Sequence, residues 1–189
     1  EATTKLYGLD ADATKQAGQR LLAARRLVER GVRFVQVYPS GYGTWDSHAK
    51  LKDNHTRLCA SVDKPVTGLL LDLKQRGMLD ETLVVVMSEM GRTPTYNNGK
   101  GKDHWSIGSV MFLGPGIKGN RVFGATDEKQ FGVNMNPATL ALDKDKGLKI
   151  RPEHIHEALR ELAGIATHPH AKKFPLGLKD TEKLKGLWG

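Results

Sequence analysis

Carboxylates and imidazoles gather at two places in this chain. One is Trp45-Asp46-Ser47-His48. The other runs from Ser88-Glu89, through Gly91 and Arg92, to Asp103-His104-Trp105. Carboxylate oxygens and imidazole nitrogens are the ligand set of zinc, manganese and iron sites. Asp46, His48, Glu89 and His104 are therefore candidate ligands for a divalent metal. Asp103 either orients His104, ligates, or occupies a turn. Arg92 either pairs with Glu89 or holds a substrate anion through its planar fork. A two-metal site of this kind clamps a phosphoryl or sulfuryl group. The patterns Asp-x-His and Asp-His are short, and Asp46 is also placed to cap a helix starting near Ala49, which would make His48 a first-turn surface residue. A carboxylate at the end of an apolar run, as at Glu89, calls for a partner or a ligand.

The elements that must carry these groups are legible from periodicity. Ala17, Leu21, Ala24 and Val28 recur at helical spacing over residues 12–30, with Asp12 as N-cap and Gly31 as stop. Residues 33–38 are rich in β-formers and read as a buried strand that runs into the glycine-rich loop before Trp45. Residues 49–76 read as a long helix bent at Pro65, with Val62, Val66, Leu69, Leu70 and Leu73 on its apolar face. Residues 82–88 read as a second strand. Strand, crossover helix and strand make a βαβ unit with parallel strands. Both clusters then fall at the carboxyl ends of the strands, where open α/β sheets bind ligands. Residues 109–113 read as a third strand and residues 152–163 as a helix. Residues 1–9 read as irregular, and residues 117–150 as a hairpin or extended loops. Leu184, Leu187 and Trp188 are expected to pack back on the body. The remaining histidines, at 55, 154, 156, 168 and 170, read as ordinary surface or core residues.

With 189 residues, the chain has the length of one domain, taken as 1–189, and enough residues for a sizeable core. No apolar run approaches the roughly 20 residues that span a bilayer, so no membrane span is expected. The net charge of +8 is spread along the chain without interleaved aromatics. It reads as a solvated surface, and no nucleic-acid partner is expected. The single cysteine, Cys59, excludes an intrachain disulfide and reads as a buried small hydrophobe. Ser88, Thr93 and Ser106 lie near the clusters, but none sits in a Gly-x-Ser-x-Gly elbow, and there is no phosphate loop of the Walker type.

Several stretches together resemble a bacterial family known as the domain of unknown function 1501. They are residues 21–38, Trp45-Asp46-Ser47-His48, residues 79–85, Glu89-Met90-Gly91-Arg92-Thr93-Pro94, Asp103-His104-Trp105 and Gly124-Ala125-Thr126-Asp127. That family is similar to the alkaline phosphatase and sulfatase superfamily. The resemblance implies an α/β fold with a largely parallel sheet sandwiched by helices, of which this chain would be a C-terminal portion. It also implies a metal-dependent hydrolase of sulfate or phosphate esters, acting on a small-molecule or polysaccharide ester and exported in full-length form. In that superfamily one metal takes an Asp, a His and a later His, the positions of Asp46, His48 and His104. The second metal takes an Asp-His pair where this chain has Glu89-Met90, and a thioether is a poor ligand for such an ion. The superfamily's nucleophile comes from an upstream segment that residues 1–31 do not resemble. The alternative is a non-catalytic binding or scaffolding relative with the site eroded at Met90.

Overall fold

The computed structural model describes residues 1–188. The chain folds as two compact units, Glu1–Pro115 and a second from Gly116 onward. The first unit contains helices α1 (Ala2–Leu6), α2 (Asp12–Glu29) and α3 (Leu51–Gln75). Its strands are β1 (Val84–Met87), β2 (Gly91–Arg92), β3 (His104–Trp105) and β4 (Val110–Leu113).

The core of this unit lies between α2 and α3. Leu21 and Leu22 of α2 meet Leu69 and Leu73 of α3 over Tyr7, with Val66, Met78, Leu79 and Val84 packed around them. Each fully buried leucine removed from water contributes about 1.5–3 kcal/mol. The chain before α2 is not irregular as expected: α1 is a short helix, and α3 crosses it tightly. A Cβ on Gly68 would sit 2.4 Å from the Leu6 carbonyl oxygen, so only glycine permits the approach. Asp12 is the first residue of α2 rather than its cap, which is Ala11. Pro65 is buried inside an α3 that continues past it. Cys59 is exposed, correcting the expectation of burial. It follows Leu58, which faces the core, and one helical step turns it about 100° away.

The sheets differ from the sequence expectation in detail. Strand β1 pairs with β4, antiparallel, from Val84 opposite Leu113 to Met87 opposite Val110. Residues 32–38 carry no ladder among the described residues. Phe34 and Tyr38 are largely exposed, and only Val37 packs against the helical core. The Tyr38 carbonyl, and that of Ser40, instead accept from the Arg20 guanidinium at 2.7 and 2.9 Å. β-propensity reports fit to a half-buried pleated surface, and it forms no strand where no neighbour offers its edge.

The second unit contains α4 (Pro152–Leu162), α5 (Pro169–Lys172) and a 3₁₀ turn at Asp180–Glu182. Its core is Met135, Leu140, Ala158, Leu184 and Leu187. The tail packs on its own unit as the sequence suggests: Trp188 Nε1 donates to the Ala158 carbonyl at 3.0 Å. Residues 117–150 are joined by isolated bridges, with Thr126 opposite Gly132 and Met135 opposite both Leu142 and Leu148. Among the described residues, no helix is long and apolar enough to cross a membrane.

Candidate metal centre

Two loops of the first unit build the site. The first, residues 39–50, leads into α3. Arg20 holds its start, and Trp45 holds its middle by donating to the Ser40 hydroxyl at 2.8 Å and meeting the His55 ring edge-on at 5.5 Å. The second loop joins β2 to β3, which pair antiparallel with Gly91 opposite Trp105 and Arg92 opposite His104. The loops are stitched together by their backbones. Lys50 N–H donates to the Gly99 carbonyl, Leu51 N–H to Lys100, and Lys102 N–H to Ser47, at 3.0–3.1 Å. Gly101 lies in this seam. A Cβ there would be 2.0 Å from the His48 carbonyl carbon and 2.3 Å from the Ala49 nitrogen. Gly101→Ala must therefore part the loops. The expected cost is about 1–3 kcal/mol in urea unfolding.

The stitching brings Asp46, His48 and His104 together as a possible metal-binding group. Asp46 Oδ1 lies 3.0 Å from His48 Nε2 and 3.1 Å from His104 Nε2. The two Nε2 atoms are 3.3 Å apart. Ligand atoms bound tetrahedrally at about 2.0–2.1 Å sit about 3.3 Å from one another, so the triangle matches one face of a zinc-like coordination sphere. All three side chains are about half exposed.

Asp103 takes a place that the sequence did not assign. Its carboxylate is 2.7 Å from His48 Nδ1, so it orients His48 rather than His104. Arg92 pairs with neither Glu89 nor solvent alone: its Nη2 donates to Asp46 Oδ1 at 2.6 Å and its Nη1 to the Lys102 carbonyl at 3.2 Å. Glu89 stands apart from the triangle and accepts from the Ser88 hydroxyl at 3.0 Å. These contacts set the electrostatics. Hydrogen bonds from Arg92 and His104 hold the Asp46 carboxyl below its ordinary value. His48 and Asn97 do the same for Asp103. Glu89 is lowered by its own backbone N–H and by Ser88; Arg92 also pulls it down, while Asp46 pushes it up. All three carboxylates are thus held in their ionised forms, and Asp46 is the one that belongs to the triangle.

The other histidines do not join the site. His55 supports the first loop through Trp45, a role its sequence position did not reveal. In the second unit, buried His154 accepts from the Arg151 N–H at the start of α4, at 2.9 Å, and His168 accepts from the His170 N–H. The residue that sequence reasoning missed is Asn97. Its signal was the turn chemistry of Asn97-Asn98-Gly99-Lys100-Gly101.

The model of a family described as "protein of unknown function (DUF1501)" matches residues 1–156, most of the chain and the whole of this site. The chain belongs to the DUF1501 family. No curated protein and no solved structure matches it. The DUF1501 match covers both loops, the seam between them and the α2–α3 core that carries them.

Proposed function

We propose that this DUF1501 chain carries the metal centre of a sulfatase-like hydrolase of sulfate or phosphate esters, on the α/β fold of the alkaline phosphatase superfamily. The observation that supports the reading is the triangle of Asp46 Oδ1, His48 Nε2 and His104 Nε2, with sides of 3.0, 3.1 and 3.3 Å. Three protein ligands leave a fourth tetrahedral position open, the arrangement of catalytic rather than structural zinc. A divalent cation there would supply Lewis-acid polarisation of an ester oxygen. Asp103 accepts from His48 Nδ1 at 2.7 Å, which turns Nε2 toward the triangle, where a cation would take the place of a proton. Arg92 places a guanidinium with five N–H donors beside it, two of them engaged with Asp46 and Lys102, and the planar fork suits an anionic ester. Glu89 and Met90 do not extend the triangle, so the reading is of one metal rather than two.

The test is elemental analysis of protein purified without chelator, beside the His48→Ala and Glu89→Ala variants. Near-stoichiometric zinc, manganese or iron, lost in His48→Ala and kept in Glu89→Ala, is the expected result. Aryl sulfates and phosphates are the substrates to screen next. Absence of metal from the wild type, even after incubation with those ions, would remove the reading. A specific observation favours the second reading, a non-catalytic relative: the Arg92 guanidinium already supplies positive charge to Asp46 Oδ1 at 2.6 Å. That reading predicts an intact fold that takes up no metal.

A further inference from the structure

We propose that Asn97 is the positioning residue of this site: its side-chain amide fixes the Asp103–His48 pair, so that the His48 ring is held with Nε2 toward Asp46 and His104. The consequence for metal rests on the proposed metal reading; the geometry stands without it.

Every hydrogen-bonding position of the Asn97 side chain is used. Its Oδ1 accepts from the Gly99 and Gly101 N–H groups, both at 3.0 Å. Its Nδ2 donates to the His48 carbonyl at 2.9 Å and to Asp103 Oδ1 at 3.0 Å. An asparagine amide offers two donors and two acceptor lone pairs, and here each has a partner. The partners also fix which end is which. Two N–H donors face the oxygen, and a carbonyl and a carboxylate face the nitrogen, so a flipped amide would oppose like groups at all four contacts.

The side chain thus does two jobs. Through Oδ1 it curls its own loop, which includes Lys100 at φ 56°, a left-handed conformation that a lysine adopts only under constraint. Through Nδ2 it reaches the other loop at the His48 backbone and, separately, the carboxylate that holds the His48 ring. Asp103 Oδ1 receives both the Asn97 amide and His48 Nδ1, at 3.0 and 2.7 Å. An ionised carboxylate can only accept, so the ring donates from Nδ1, which leaves Nε2, 3.0 Å from the Asp46 carboxylate, as the nitrogen where a cation would take the place of a proton. Partners that fix a ligating imidazole in this way typically account for 10–100-fold in metal affinity.

Asn97→Asp separates the two jobs. It is isosteric and keeps an acceptor for Gly99 and Gly101, but it sets a second carboxylate against Asp103 and the His48 carbonyl. By charge alone, an added carboxylate near the site would tighten cation binding. By positioning, it must weaken it. Zinc titration of metal-free wild type, Asn97→Ala and Asn97→Asp reads this directly. The expected result is affinity about 10–100-fold weaker in both variants, with wild-type far-UV circular dichroism. Wild-type or tighter zinc binding by Asn97→Asp would overturn the proposal.

A second readout needs no metal. Long-range proton–nitrogen correlation spectra of the metal-free protein report whether His48 Nδ1 carries a proton toward Asp103. Wild type is expected to show Nδ1–H in full, and Asn97→Ala to show it only in part. A wild-type ring without Nδ1–H, or an unchanged Nδ1–H ring in Asn97→Ala, would overturn positioning even where zinc binds. Locked Nδ1–H in the wild type, loosened in the variant, without zinc uptake by either, would sink the metal reading and leave positioning intact.

Discussion

Replacing Asp72 with alanine is expected to destabilise the first unit by about 3–5 kcal/mol, the range for breaking a buried ion pair by removing one partner. Asp72 lies beneath the α2–α3 core. It accepts from the Tyr7 hydroxyl at 2.9 Å and from Arg76 Nε at 2.7 Å. Arg25 Nε is 2.9 Å from its Oδ2, close enough for strong attraction but not aligned as a hydrogen bond. Arg25 is buried, and its other carboxylate partner is Glu29, one turn further along α2. Without Asp72, the fully buried Tyr7 hydroxyl loses its acceptor and Arg25 keeps only the partly exposed Glu29. Domains of this size are stable by about 5–15 kcal/mol in total, so urea unfolding should show a large drop in midpoint. A change below about 1 kcal/mol would show that the network is not supporting the core. The same carboxylate makes a pH prediction. Burial pushes Asp72 up, but hydrogen bonds from Arg76 and Tyr7 and the charges of Arg25 and Arg76 outweigh it and leave it lowered. A carboxyl lowered on folding contributes stability that is complete above its unfolded value near 4 and is lost as pH falls through the folded value. Wild type should therefore weaken steeply on the acid side. Asp72→Asn, which keeps the shape without the charge, should weaken less steeply.

On the proposed metal reading, replacing His104 with alanine is expected to remove metal binding while leaving the fold in place. Two ligands would remain where three stood, and affinity should fall by more than about 100-fold, beyond the loss typical of the groups that merely support a ligand. His104 is half exposed, at 51% of its side-chain surface, and an exposed substitution usually changes stability by less than about 0.5 kcal/mol. The informative result is the separation: metal content lost, unfolding midpoint kept. Equal loss of both would mean that His104 serves the β2–β3 pairing and nothing more. Metal kept in the variant would move the site elsewhere.

The helices were legible because their signal is local. Ala17, Leu21 and Ala24 repeat at the helical period, and all three are buried. Strands β1 and β4 fall within the apolar runs at 82–88 and 109–113 for the same reason. Asp46, His48 and His104 were legible as candidates that the structure brings together, because they stand in polar loops after runs of β-formers, whereas the same pairing at Asp53 and His55 lies within a helical pattern. What the sequence hid depends on partners far along the chain. Arg25 sits inside an apolar face and is tolerated only because Asp72, 47 positions on, meets it. Helix α1 is too short to be stable alone, and it exists against the notch left by Gly68. Residues 33–38 have the composition of a strand, but no described neighbour pairs with them. Asn97 looks like any turn asparagine until its amide is seen reaching 49 residues back to the His48 carbonyl.

The pairing of β2 with β3 means that this site is written in length as well as in letters. Arg92 and His104 stand directly opposite each other, so their side chains share one face of the ladder, and both reach the same oxygen of Asp46. A one-residue slip would turn one of them to the other side. The connecting loop, pinned at Asn97, Gly99 and Gly101, has little slack to absorb such a slip. A homologue or engineered variant lacking a single residue within this pinned loop could keep every residue named here and still have no site. A catalogue of identities would score it as intact, whereas a count of the spacing would not.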